Sequence, residues 1–166
     1  MLNLKALFDW LESLPLSQAI LESSWMFPTI ESAHVVSISL VVGLVMIFDL
    51  RVLGLTSKRK AVSELSREVL PWTWLMFAIA AVSGALMFAS NANKYFDNFA
   101  FQFKMLLIVA AGINMLFFHF GPYKMVTQWN ENVNAPMLAR LCCGLSLVFW
   151  ILVVGAGRWI GFTIFG

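Results

Sequence analysis

Ionisable side chains are costly inside an apolar chain, so each one here marks a candidate for chemistry. Glu31 and His34 stand three residues apart and share a face if that stretch is helical. Lys104 opens a later apolar run, and Arg158 lies 18 residues beyond Arg140, about 27 Å along a helix axis. Glu31, His34, Lys104 and Arg158 are therefore expected to converge near one membrane face. A second group, Asp49, Arg51, Asn114 and His119, with Trp72 and Trp74 beside it, is expected at the other face. Imidazoles are the obvious ligands for haem b or a transition metal. If Glu31 and Lys104 are level, His34 lies three residues deeper and His119 fifteen. That gap is about 18 Å. One haem held by both histidines of a single chain does not fit it. A symmetric dimer could pair each histidine with its own copy, and any of the nine Met could act as a second axial ligand.

The plainer chemistry also has to be weighed. A membrane carboxylate beside an arginine is often a structural ion pair, which for this chain means Glu31–Arg158 and Asp49–Arg51. Glu31-x-x-His34 matches one step of a carboxylate-bridged di-metal bundle, but such sites use two steps and two further glutamates. Cys142 and Cys143 are adjacent, a spacing that disfavours a disulfide. They read as small buried hydrophobes, with a thiolate metal site as the alternative. No phosphate loop, nucleophile elbow or zinc-protease motif is present, so a binding or accessory role is favoured over an enzyme.

The elements that hold these groups follow from composition. Of 166 residues, 60% are hydrophobic and 12% charged, against about 45–50% and about 25% in soluble domains. Mean hydropathy is +0.81. So much apolar surface needs lipid as its solvent, and a net charge of +2 gives no reason to invoke nucleic acid. A spanning helix takes about 20 apolar residues. The expected spans are about 28–50, 72–90, 103–120 and 141–165, an all-α, up-down-up-down four-helix bundle in one domain. Small residues such as Gly84, Ala111 and Gly157 would let the helices approach closely.

The N-terminus does not read as a cleavable signal. Leu4, Leu7, Leu11 and Leu14 recur at helical spacing beside Trp10, with Asp9 and Glu12 on other faces, which predicts one short amphipathic helix on the membrane surface. Arg51, Lys58, Arg59, Lys60, Arg67, Lys124 and Arg140 fall on one side of the membrane, against Lys5, Lys94, Lys104 and Arg158 on the other. The richer side should be cytoplasmic, which puts both termini in the periplasm of a bacterium.

Motifs recur in order along nearly the whole chain. They are Glu22-Ser-Ser-Trp-Met-Phe-Pro28, Glu31-Ser-Ala-His34, Phe48-Asp-Leu-Arg-Val-Leu-Gly54, Leu70-Pro-Trp-Thr-Trp74 and Ser83-Gly-Ala-Leu-Met-Phe-Ala-Ser90. Lys104, Gly112-Ile-Asn114, Phe118-His119, Ser146 and Gly157-Arg158 continue the series. In these the chain resembles a bacterial membrane family, domain of unknown function 6644. The resemblance implies a four-helix inner-membrane protein whose polar residues belong to a family pattern. Three functions are open at this point. One is a protein carrying haem b or a metal near His34 for electron transfer or metal handling. The others are an accessory or scaffold subunit, and a small proton-coupled transporter using Glu31 and His34. The partners expected are the lipid bilayer and either a second copy of the chain or a periplasmic protein.

Overall fold

The computed structural model describes residues 4–56, 59–131 and 133–164. Lys58 and Phe165, which figured in the charge count and the last span, lie outside them. The described residues form seven α-helices and one 3-10 segment, with no strand among them. α1 is Leu4–Ser13, α2 Pro15–Glu22, α3 Met26–Leu53, α4 Val62–Ser90, α5 Ala92–Phe96, α6 Phe99–Phe120 and α7 Met137–Ile164. The 3-10 segment, Pro122–Gln128, joins α6 to α7. The four long helices hold 28, 29, 22 and 28 residues. At 1.5 Å per residue each exceeds the roughly 30 Å of a bilayer's hydrocarbon core. All four are long and apolar enough to cross a membrane.

α4 starts ten residues earlier than expected, and Pro71 lies inside it instead of opening it. Val62, Leu65, Ser66 and Val69 are all buried. Their spacing is that of one helical face, so the polar stretch before Pro71 is an amphipathic continuation of the helix. Pro71 only removes its own bond to the preceding turn. Ala61, before the first turn of α4, has no side chain that can cap it. Asn130 does so from the distant α6–α7 connection. Its carbonyl accepts from Val62 N (3.1 Å) and its side-chain Oδ1 from Ser63 N (2.9 Å). Arg51 completes this joint, donating from Nε to the Lys60 carbonyl (2.8 Å) and from Nη2 to the Asn130 carbonyl (3.2 Å). At the end of α3, Gly54 takes φ 80°, a left-handed turn that suits a residue without a Cβ.

The N-terminal segment is two helices, not one, because Leu14 is extended and Pro15 starts a new helix. α1 turns Phe8 inward, against Phe96 (centroids 4.8 Å apart) and edge-on to Phe88 (5.9 Å). The acids on its other faces hold α5. Glu12 accepts from Asn93 N and Asp9 from Asn93 Nδ2, both at 2.9 Å. Leu4, Leu7 and Trp10 stay exposed.

Helix packing departs from a simple four-helix bundle. α3 lies along α4 and α7, and α7 along α6. α4 and α6, though consecutive spans, do not lie along each other. Their outer ends are pinned by the Phe88 and Phe101 rings, stacked 5.4 Å apart, with Tyr95 beside them. Away from this pin a cavity separates them. At the other end of the molecule Val52, Val62, Phe118, Trp129, Ala139, Cys142 and Cys143 form the principal buried cluster.

Candidate functional site

At the α5 end of the molecule, the outer end in the expected orientation, the structure brings His34 and Lys104 together but leaves Glu31 and Arg158 apart from them. His34 faces α4. Its Nδ1 lies 2.8 Å from the Ala80 carbonyl and 3.1 Å from the Ser83 hydroxyl. A carbonyl can only accept, so Nδ1 carries the proton and donates. Gly84 admits the ring: a Cβ there would lie 3.0 Å from His34 Cε1. Lys104, from α6, is near enough to His34 to act on it electrostatically. It fits against Gly157, where a Cβ would sit 3.6 Å from Nζ.

Arg158, the next residue along, is turned about 100° away by the helix. It is exposed, with its guanidinium over the Phe162 ring at 5.0 Å. Glu31 is exposed as well, and its charge reaches Tyr95 in α5. No salt bridge joins Glu31 to Arg158. The spacing argument fixed the depth of these groups, not their rotation about the helix axes. Burial, with Glu31 adding to it, pushes the Tyr95 hydroxyl up to about 12.

The inner group divides differently. Asp49, Asn114 and His119 line one cavity of about 170 Å³, and Arg51 does not. Residues two apart on a helix point to nearly opposite sides. Asp49 therefore faces inward while Arg51 serves the loop joint, and the expected Asp49–Arg51 pair is absent. α3 contributes Phe48 and Asp49 to the wall; α4 contributes Ser66, Thr73, Trp74 and Phe77. From α6 come Gly112, Asn114 and His119, and from α7 Cys143, Ser146 and Trp150. Trp72 points outward and is exposed.

Asn114 is anchored, its Nδ2 donating to the Cys142 carbonyl at 2.9 Å. His119 sits at the inner mouth, with Nδ1 3.3 Å from the Met115 carbonyl and its ring 5.1 Å from that of Tyr123. Asp49 is only 4% exposed. The Ser146 hydroxyl and the Cys143 thiol face its carboxyl from α7. Its Oδ2 is sealed from solvent and meets no hydrogen-bonding group of the protein. Buried polar atoms are nearly always satisfied, so this orphan oxygen is an exception.

Ser66 and Thr73 were not among the residues singled out, Ser146 appeared only in the motif series, and Cys143 was weighed only as a packing residue or a thiolate metal ligand beside Cys142. Cys143 and Ser146 are three apart, and so share the helix face that meets Asp49. That spacing was the available signal. Both cysteines are free and buried. His34 and His119 stay on separate helices with separate partners. Among the described residues no three His, Cys, Asp or Glu side chains gather to hold a metal ion.

No curated protein and no solved structure matches this chain. Residues 7–163 match the model of a family of unknown function, DUF6644, and the chain belongs to that family.

Proposed function

We propose that this is a multi-pass protein of the bacterial inner membrane that binds a small lipophilic molecule between α4 and α6. The observation that carries the reading is the gap between these consecutive spans, backed by an apolar cavity. In a bilayer the open side of that gap faces acyl chains, so an apolar molecule can enter without crossing water. An apolar cavity of about 150 Å³ takes up benzene, and this one is slightly larger. The excess of Lys and Arg at the α3–α4 and α6–α7 connections supports a cytoplasmic placement of that end, with both termini periplasmic. The exposed Leu4, Leu7 and Trp10 of α1 suit the outer lipid interface.

The other readings have less behind them. An axial ligand to haem or a transition metal at His34 would use Nε2, since Nδ1 is bonded to α4. The Lys104 ammonium beside it disfavours a metal cation, and among the described residues no group of three His, Cys, Asp or Glu forms around it. A proton relay through Glu31 and His34 would need the two to meet, yet His34 is committed to a main-chain carbonyl and Glu31 lies outside.

The test is uptake of fluorobenzene by the purified protein in mild detergent, followed by 19F NMR. Gly112 lines the cavity and has nothing within 4 Å of its Cβ position. Gly112→Phe should fill the space and remove the exchange broadening that the unaltered protein causes. Equal broadening by both proteins would refute the site. A visible spectrum and metal analysis of the same sample test the cofactor reading directly.

A further inference from the structure

We infer that the ligand of this cavity is a fatty carboxylate, its single acyl chain between α4 and α6 and its head at the inner mouth on Arg67. The inference rests on the cavity reading above and adds the class and orientation of the ligand. Shape supplies the first argument. The lining runs from Ser66 to Phe77 on α4 and from Ile108 to His119 on α6, a rise of eleven residues on each helix. At 1.5 Å per residue that is about 16 Å. It is close to half of the roughly 30 Å hydrocarbon core, the depth of one acyl chain in one leaflet. A volume of about 170 Å³ spread along that length is a slot for one chain, not two. Val41, Val45, Val69, Ile108 and Met115 line it with the aromatic rings, a wall suited to methylene groups.

The mouth supplies the second argument. Beside the 3-10 segment, Ser66, Arg67, Trp74, His119 and Tyr123 line an open hollow that shares Ser66, Trp74 and His119 with the slot. No carboxylate lines this hollow. Among the described residues no acid pairs with Arg67, and Glu68 beside it pairs with Lys60. His119 and Tyr123 add an imidazole and a hydroxyl, with their rings 5.1 Å apart. His119 gives Nδ1 to the Met115 carbonyl, which leaves Nε2 for a ligand.

Charge decides the class. The planar fork of an arginine meets a carboxylate through two parallel bonds. A neutral hydrocarbon would fill the slot but leave Arg67 to water. An organic cation would bring like charge against Arg67. A diacyl phospholipid has an anionic head but a second chain, for which the slot has no room. Asp49 takes no part in binding. Its Oδ2 is sealed from solvent, and its carboxyl meets the Ser146 hydroxyl and the Cys143 thiol of α7.

Entry from the bilayer fits this chemistry. A fatty carboxylate in the adjoining leaflet already lies with its chain along the membrane normal and its head at the interface. It moves sideways, the chain passing between α4 and α6 while the head stays at the level of the mouth. Trp74 is exposed there, a place that suits an indole ring. Lipid tails are as apolar as leucine side chains, so moving the chain from bilayer to slot changes its free energy little. The affinity must then come from the head, and Arg67 carries the charge that binds it.

The experiment titrates brominated stearate and its neutral methyl ester into the full chain, purified in a maltoside detergent, and reads the quenching of tryptophan fluorescence. Trp74 and Trp150 line the slot, and bromine quenches only at close range. The acid should reach half-saturation at a concentration at least tenfold below the ester. Arg67→Gln should bring the acid to the level of the ester and leave the ester unchanged; Arg67 is exposed, so this variant should fold. Unbrominated stearate should reverse the quench, and phosphatidylglycerol should not. Gly112→Phe should remove saturable quenching by both probes. Equal midpoints for acid and ester, an acid midpoint untouched by Arg67→Gln, or equal reversal by phosphatidylglycerol overturns the carboxylate assignment while leaving the cavity intact. Saturable quenching by neither probe, or quenching that survives Gly112→Phe, overturns the cavity itself.

Discussion

Gly84 is held to glycine by one ring, and that claim can be tested by a double-mutant cycle. A methyl group at Gly84 would lie 3.0 Å from His34 Cε1 and 3.4 Å from Nδ1. A 3.0 Å contact is tighter than nine in ten real Cβ contacts, so the imidazole must retreat by a few tenths of an ångström. It is bonded at 2.8 Å to the Ala80 carbonyl, on the same helix as Gly84. Retreat stretches or breaks that bond and leaves a half-buried donor unpaired, at a cost of about 2 kcal/mol. Alanine in place of glycine in a helix returns about 1 kcal/mol. Gly84→Ala alone should therefore destabilise the protein by about 1 kcal/mol. With His34→Ala as the starting protein the ring is gone and only the propensity gain remains. The same Gly84→Ala change should then stabilise by about 1 kcal/mol, so the coupling is about 2 kcal/mol. Reversible unfolding by sodium dodecyl sulfate in mixed micelles, followed by tryptophan fluorescence, reads all four corners of the cycle. An equal effect of Gly84→Ala with and without His34 would refute the reasoning.

Arg51→Ala should lower the unfolding free energy by about 3 kcal/mol, because two charge-assisted bonds to loop carbonyls are lost. Arg51→Lys cannot reproduce the two-carbonyl fork, so full stability of that variant in the same micelle assay would dismiss the joint. Asn130→Ala removes the side-chain acceptor of the Ser63 N–H and should cost about 1 kcal/mol; an unchanged midpoint would show that α4 needs no cap from the loop. The chain has two tyrosines, Tyr95 and Tyr123. In an alkaline titration at 295 nm one of them should ionise near pH 12 and vanish in Tyr95→Phe. Because folding raises that pKa from about 10, the stability it lends is present below pH 10 and is lost between pH 10 and 12, by about 3 kcal/mol in all. A flat stability profile across that window would count against burial of the hydroxyl.

What was legible in the sequence was whatever depends on one helix at a time. Four apolar runs of the right length announced four long helices, and motif order announced the family. The third span, expected to end at 120, ends there because Gly121 and Pro122 stop α6, while α3 runs three residues past the expected 50, to Leu53 and the left-handed Gly54. The first turns of α4 were misread for a local reason. Pro71 looked like a start signal, although Val62, Leu65, Ser66 and Val69 already spelled a helical face upstream of it. The cap on α4 was beyond any local reading, since Asn130 comes from 67 residues away.

The site depended on rotation and on a missing contact, and neither is written in spacing. Depth arguments favoured the outer quartet because it held four charged or basic groups. Two of those four turn outward in the folded chain. The inner group looked like ordinary ends of spans, with Asp49 neutralised by Arg51. It becomes the stronger candidate only when three facts combine. Arg51 is occupied elsewhere. α7 brings Cys143 and Ser146 to the carboxyl. α4 and α6, pinned by Phe88 on Phe101 at the outer end, separate and leave a cavity whose lining includes Asp49. The pin also accounts for the N-terminal helices. Phe8 of α1 packs on Phe88 from the other side, and Asp9 and Glu12 tie α1 to the turn that joins the two spans. A segment that read as a membrane-surface helix thus braces the closed end of the cleft whose open end holds Asp49.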